Sequence, residues 1–172
     1  MLMRQGTIAA ASKICKSELI SYRSTHGKSR INVNERKPLA NMPVQVRYHE
    51  CDPSGIVFHP HYLTWADMAS FECLEASTGP YADLADRGLG LVVADSSVRY
   101  LAPCTAGDEL VVTGFLDHVG TTSMVLRFEI HKPEVLVAEV TNRYVWVDAE
   151  SVKPMALPED IRSKLVAHLP ED

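Results

Sequence analysis

The chain has 172 residues, of which 46% are hydrophobic and 23% charged, and its formal net charge is −5. This length suits a single domain, and the composition is typical of a globular protein. No apolar run approaches the ~20 residues that a bilayer-spanning helix needs, so we expect no membrane span.

Positive charge is concentrated at the beginning of the chain. Residues 1–41 contain eight Lys or Arg and two acidic residues, whereas residues 42–172 contain nine basic and twenty acidic residues, a net charge of −11. An acidic domain repels the phosphate backbone, so nucleic acid is not an expected partner. A phosphorylated ligand would meet the same repulsion and would need local basic contacts.

The first 41 residues are rich in Ser, Ala and Lys or Arg and lack a sustained apolar period. Three interpretations stay open. The segment is an organelle targeting sequence, a disordered tail, or an extension before the true start at Met42, because strand-like alternation begins directly after that residue. We place the domain at 42–172 and assign no chemistry to residues 1–41.

The four cysteines, Cys15, Cys51, Cys73 and Cys104, show no close pairing such as C-x-x-C. This spacing is typical of free thiols in a reducing compartment and argues against a disulfide framework or a zinc ribbon. We therefore expect a cytoplasmic protein.

The hydrophobic pattern predicts an α+β fold with one long helix and a mostly antiparallel sheet. In chain order the predicted elements are a strand at Val44–Tyr48, a helix at 61–76, a short helix at Tyr81–Asp86, strands at Leu91–Leu101, Leu110–His118, Met124–His131 and Val135–Val147, and a helix that starts at Pro158. The helix at 61–76 carries Met68 and Phe71 on the face opposite its main apolar arc. We therefore expect it to be mostly buried.

Between the first strand and the long helix, Asp52-Pro53-Ser54-Gly55 forms a good type I turn signal. By itself this is only a turn. Gly55 to Phe58 then lead directly into the helix at Pro60, and the free N–H groups of a helix start create an electropositive site for an oxyanion. An acid beside such donors is the arrangement that acyl transfer uses.

The segment from Glu50 to Tyr62, ECDPSGIVFHPHY, strongly resembles the signature of 4-hydroxybenzoyl-CoA-type thioesterases, including the short-chain acyl-CoA thioesterases linked to the Tol–Pal system. The resemblance runs from Val44 to about Leu165. It includes Trp65-x-Asp67, Val98-Arg99-Tyr100-x-Ala102-Pro103 and Lys153-Pro154-x-Ala156-Leu157-Pro158. It implies a hot-dog fold, with the sheet wrapped around the long helix. It also implies a homodimer or a homotetramer built as a dimer of dimers, with active sites at the dimer interface.

The resemblance also implies roles for individual residues. Asp52 is the nucleophile that forms a mixed anhydride, or the base that activates water. The backbone N–H of His59 polarises the thioester carbonyl, and its imidazole is a second candidate. Asp67 matches an acid that orients the acyl group, although a structural role fits equally. Trp65 and Phe58 are candidates for lining an acyl pocket or for ordinary core packing.

The expected activity is hydrolysis of small, short-chain or aromatic acyl-CoA thioesters, without a cofactor. One departure concerns CoA: the turn at Val119–Thr122 lacks the basic cluster that the aromatic-acyl enzymes use for phosphates. The remaining candidates for phosphate contact are Arg99, Arg127, Lys132 and Arg143.

Other functions were weighed against this one. A metal site would have to be built from His49, Cys51, Asp52, His59 and His61, whose spacings are weak ligand patterns. We therefore expect no metal. A hot-dog module that binds or senses acyl-CoA without catalysis stays open, although such a binder would not need Asp52. No G-x-S-x-G motif is present, which disfavours a serine hydrolase.

Overall fold

The computed structural model describes residues 37–170. The predictions for the first 41 residues therefore lie almost entirely outside the described part of the chain. Within it, the strands are β1 (Ala40–Gln45), β2 (Leu89–Tyr100), β3 (Glu109–Val119), β4 (Ser123–Lys132) and β5 (Val135–Asp148). The helices are α1 (His61–Thr78), α2 (Tyr81–Asp86) and α3 (Glu159–Val166).

The five strands form one antiparallel sheet in the order β1-β3-β4-β5-β2. The strands β1 and β2 are therefore its two edges. This order of elements confirms the predicted α+β class, with strand and helix limits that differ by only a few residues. Side chains alternate along β4 as predicted: Met124, Leu126, Phe128 and Ile130 are at most 1% exposed and form the inner face of the sheet.

The first strand differs from its prediction at both ends. It begins at Ala40, four residues before the predicted start at Val44, because its backbone already pairs there with Gly114 of β3. It stops at Gln45, and Tyr48 lies in a 3₁₀ turn (Tyr48–Glu50) with 88% of its surface exposed. Alternating hydrophobicity alone did not reveal that the strand ends at Gln45.

The helix α1 begins at His61 as predicted and runs two residues further, to Thr78, where Gly79 ends it with a φ of 100°. Its buried arc includes Tyr62, Trp65, Ala66, Ala69, Cys73 and Leu74. The helix is mostly buried or half-buried, as expected, but the apolar Met68 and Phe71 are 53% and 47% exposed in the single chain. These two side chains lie on the arc that points away from the sheet.

The helix α1 approaches the sheet closely at Gly114 of β3. A Cβ atom placed on Gly114 would lie 2.2 Å from Sγ of Cys73. The thiol is fully buried, and this burial raises the pKa of Cys73 to about 12, so it packs as a neutral group. Glycine at 114 is therefore required for helix-to-sheet contact, not for backbone conformation.

We predict that Gly114→Ala lowers the free energy of unfolding by about 1–3 kcal/mol, the usual cost of overpacking a core. The double variant Cys73→Ala/Gly114→Ala should recover part of that loss, because the clashing sulfur is gone. Urea denaturation of wild type, both single variants and the double variant measures the coupling. Strictly additive effects would show that the Gly114–Cys73 contact is not the cause.

Candidate active site

The segment between the 3₁₀ turn and α1 folds as a tight hairpin. The Asp52 N–H donates to the Ile56 carbonyl at 2.9 Å, and the Phe58 N–H donates to the Glu50 carbonyl at 2.8 Å. The Gly55 N–H donates to the Asp52 carbonyl at 2.9 Å, which confirms the predicted turn, and Gly55 has a φ of 82°. The hairpin thus places Glu50 beside Phe58, directly before the helix start, and Asp52 beside Ile56.

The Asp52 carboxylate is held through one of its two oxygens. Oδ1 accepts the Ser54 N–H at 2.7 Å and also the Ser54 hydroxyl. Oδ2 has no hydrogen-bond or ion-pair partner among residues 37–170. The side chain is partly exposed at the tip of the hairpin. One oxygen is therefore oriented by the turn while the other remains available to a ligand or to water.

The sequence predicted that the backbone N–H groups at the start of α1 are free, but three of them are bonded within the chain. The His61 N–H donates to the Phe58 carbonyl at 3.0 Å, and the Leu63 and Thr64 N–H groups donate to the Pro60 carbonyl at 3.0 and 3.2 Å. These groups are thus not available as oxyanion donors.

The His59 N–H, in contrast, has no acceptor within the described range. It shares a peptide group with the Phe58 carbonyl, which is bonded to the helix start. A trans peptide is planar and its N–H and C=O point in opposite directions, so this N–H is directed away from α1. This orientation makes the His59 N–H a candidate donor, beside the Tyr62 N–H of the first helical turn, which also has no acceptor within the described range.

Aromatic side chains surround this end of the helix. The Tyr100 hydroxyl, at the end of β2, donates to the His59 carbonyl at 3.1 Å. Its ring packs edge-on against Tyr62 at 5.3 Å, and the Phe58 ring packs edge-on against His59 at 4.6 Å. The His59 side chain itself is exposed.

The other predicted site residues lie at different depths. Asp67 is exposed on α1, about 9 Å along the helix axis from His61 at ~1.5 Å per residue. Phe58 is 45% exposed and next to His59, whereas Trp65 is only 2% exposed. The Trp65 indole N–H donates to Glu50 Oε1 at 3.1 Å. Trp65 thus packs in the core and offers little surface to a ligand.

Three of the four candidate phosphate contacts are paired within the chain. Arg99 pairs with Glu139, Arg127 pairs with Asp117 and Glu129, and Lys132 pairs with Asp108. Arg143 is exposed on β5 and forms no ion pair or hydrogen bond with the residues that the structure describes. It is the free cation among the candidates.

Sequence reasoning assigned no role to three residues that shape the site: Glu50, Ser54 and Tyr100. Glu50 and Tyr100 stand inside the quoted motifs, but only the fold shows that they bond to Trp65 and His59. An Asp two positions before Ser54 is a recognisable Asx-turn signal, so the bond from the Ser54 N–H to Asp52 could have been predicted from the sequence.

No group of three His, Cys, Asp or Glu side chains within 37–170 is placed to hold a metal ion. None of the helices in this range is long and apolar enough to cross a membrane. Cys51, Cys73 and Cys104 are free thiols.

A sheet packed on one long helix, with an acid-bearing hairpin at the helix start, defines the hot-dog thioesterase class. The model of the thioesterase-like superfamily matches residues 46–165. The chain therefore belongs to this superfamily and is a thioester hydrolase.

Individual relatives agree with this assignment. The chain is 31% identical to the acyl-CoA thioester hydrolase YbgC of Escherichia coli O6:H1, covering 72% of this chain and 92% of the relative. It is 29% identical to the 1,4-dihydroxy-2-naphthoyl-CoA hydrolase of Nostoc punctiforme, covering 67% and 79%.

Solved structures show the same fold. The hypothetical protein TT1821 of Thermus thermophilus has a TM-score of 0.69 at 27% identity, covering 74% of this chain and 97% of that one. The gentisyl-coenzyme A thioesterase BH1999 has a TM-score of 0.65 at 22% identity, covering 74% and 99%.

The turn geometry generates a prediction for Gly55. Its φ of 82° is a left-handed conformation that a Cβ atom disfavours, although the space around it is open. Gly55→Ala should lower the free energy of unfolding by about 1 kcal/mol, and Gly55→Asn by less, because Asn tolerates this region. Chemical denaturation of the three proteins provides the measurement. Equal stability of all three would indicate that the turn does not have this conformation in solution.

Proposed function

We propose that this protein hydrolyses small acyl-CoA thioesters, short-chain or aromatic, to the free acid and CoA. The observation that carries the proposal is that the segment from Glu50 to His59 contains both a carboxylate oxygen and a backbone N–H that are unbonded within the described part of the chain. Oδ2 of Asp52 and the N–H of His59 both lack a partner among residues 37–170, while Asp52 Oδ1 and the carbonyls of Phe58 and His59 are bonded. A free acid and a free backbone donor are what attack on a carbonyl requires.

Two routes use these groups. In the first, Asp52 Oδ2 attacks the thioester carbonyl, the C–S bond breaks to release CoA thiolate, and water then hydrolyses the mixed anhydride. In the second, Asp52 takes a proton from the water that attacks. In both routes the carbonyl oxygen becomes negative in the transition state, and the His59 N–H stabilises it.

The acyl-CoA substrate class is inferred from the relatives. The E. coli relative is named as an acyl-CoA thioester hydrolase, and the Nostoc relative and the solved BH1999 thioesterase are named for aromatic acyl-CoA thioesters. In this chain, Phe58 and Asp67 are exposed and available to an acyl group. Trp65 is too buried to contact an acyl group, and its role in the site is to hold the Glu50 carboxylate through the indole N–H.

We predict that Asp52→Asn retains the fold and lowers kcat by about 10³-fold or more, since the amide can neither attack nor accept a proton as the carboxylate does. Release of CoA thiol from a panel of aliphatic, aromatic and hydroxylated acyl-CoAs is the assay. Asp83→Asn, an exposed acid on α2, is the matched control and should retain full activity. Turnover unchanged by Asp52→Asn would remove this residue from the mechanism.

The same assay separates the enzyme from a non-catalytic acyl-CoA sensor. A sensor would bind acyl-CoA in a calorimetric titration and release no thiol with any substrate of the panel. The enzyme should release one equivalent of CoA per acyl group.

The second part of the proposal is a homodimer formed through β2. Within the described residues, β2 pairs only with β5, so its other edge is open. Val92 and Val93 on this strand are 38% and 48% exposed, and α1 packs mainly against β1 and β3. An open edge with an uncovered apolar face is a site for pairing with a second copy of the strand. A dimer of dimers is the alternative assembly.

We predict that Val93→Glu converts the dimer to monomer, because two copies of the charge would meet near the two-fold axis. Light scattering coupled to size exclusion measures the mass. Val111→Glu, at a residue 41% exposed on β3, is the matched control and should leave the β2 dimer intact. A monomeric wild type, or a dimer unaffected by Val93→Glu, would contradict β2 pairing.

A cytoplasmic location stays a prediction based on the free thiols. Fractionation of cells that express the full chain would test it and, at the same time, the targeting interpretation of residues 1–41.

A further inference from the structure

The peptide group that joins Phe58 to His59 is fixed by hydrogen bonds on every side except its own N–H. The preceding amide, the Phe58 N–H, donates to the Glu50 carbonyl at 2.8 Å. The Phe58 carbonyl accepts the His61 N–H at 3.0 Å. The following carbonyl, that of His59, accepts the Tyr100 hydroxyl at 3.1 Å.

Two of these bonds join backbone to backbone, so no substitution of a side chain removes them directly. The third depends on Tyr100, which reaches from the end of β2 to the hairpin across 41 positions of sequence. The ring also packs on Tyr62, so the hydroxyl is brought to the His59 carbonyl by a restrained side chain. Burial raises the pKa of the Tyr100 phenol, which keeps it protonated as a donor at neutral pH.

The other end of the hairpin has a side-chain anchor of its own. Glu50 Oε1 accepts the Trp65 indole N–H at 3.1 Å, and Oε2 accepts the Arg47 N–H at 2.7 Å. Trp65 is buried in the core on α1, so the carboxylate ties the hairpin to the rigid part of the helix. The carbonyl of the same Glu50 then holds the Phe58 N–H.

We propose that Tyr100 and Glu50 are positioning residues. They hold the two strands of the hairpin at its base, next to α1, and thereby direct the His59 N–H toward the thioester carbonyl. The inference rests on the proposed function, because it assigns a task to the donor named there. Neither side chain needs to touch the reacting atoms. Catalysis depends on the placement of a donor to within about 0.5 Å, so loss of either anchor should act on the transition state more than on substrate binding.

The decisive variant is Tyr100→Phe, which removes one oxygen and retains the ring. We expect kcat to fall about 10-fold and KM to change less than 2-fold, with the midpoint of thermal unfolding nearly unchanged. The loss should be constant across neutral pH, because the phenol does not titrate there. Tyr48→Phe, at a tyrosine 88% exposed in the neighbouring 3₁₀ turn, is the matched control and should retain wild-type kcat.

A series at Glu50 tests the second anchor. Glu50→Gln keeps an acceptor for the Trp65 indole and should retain most of kcat, whereas Glu50→Ala loses both bonds and should lower kcat about 10-fold or more. Trp65→Phe removes the indole N–H from the opposite side of the same contact. If the contact acts as proposed, combining Trp65→Phe with Glu50→Ala should add little to the loss in Glu50→Ala alone.

The outcomes distinguish this inference from the function on which it rests. If Asp52→Asn abolishes turnover while Tyr100→Phe and Glu50→Ala retain wild-type kcat, the positioning role is wrong and the proposed hydrolysis stands. If Tyr100→Phe raises KM and leaves kcat unchanged, Tyr100 binds substrate and the positioning role is likewise wrong. If Asp52→Asn has no effect, the proposed function itself fails, whatever the Tyr100 and Glu50 variants do.

Discussion

The hydrogen bond from the His61 N–H to the Phe58 carbonyl determines how the site can work. It uses the first amide of α1 for local structure and, through the planar peptide, turns the His59 N–H outward. The donor that we propose is therefore the amide directly before the helix. The Gly55 turn, the bond to the Glu50 carbonyl and the Tyr100 hydroxyl together hold the segment that contains this peptide and Asp52.

The fold supplies the rigid parts to which this hairpin is attached. The helix α1 lies close to β3 because Gly114 leaves room for Cys73. Tyr100 belongs to the edge strand β2, whose apolar face is open in the single chain. The strand that we propose as the dimer interface thus also carries a hydroxyl bonded to the active-site hairpin. In the proposed dimer, subunit pairing and the placement of the proposed donor would therefore depend on the same strand.

Patterns with a direct physical cause were predictable from the sequence. The alternation of buried and more exposed side chains along β4 appears as expected, because it follows from the two-residue period of a strand. The turn at Asp52 also appears, because it depends only on local backbone chemistry. The start of β1 was missed because pairing at Ala40 is made by backbone groups with no side-chain pattern. The bond from Tyr100 to His59 joins residues far apart in sequence, and no local rule could pair them. Roles for Asp52 and His59 came from resemblance to a family.

The most direct test is the crystal structure of the full-length Asp52→Asn variant with an uncleaved acyl-CoA. The account predicts that the thioester carbonyl oxygen lies about 2.7–3.1 Å from the His59 backbone nitrogen, with residue 52 on the carbonyl carbon side. A carbonyl oxygen bound by other donors, or an acyl group seated away from the Asp52 hairpin, would contradict it.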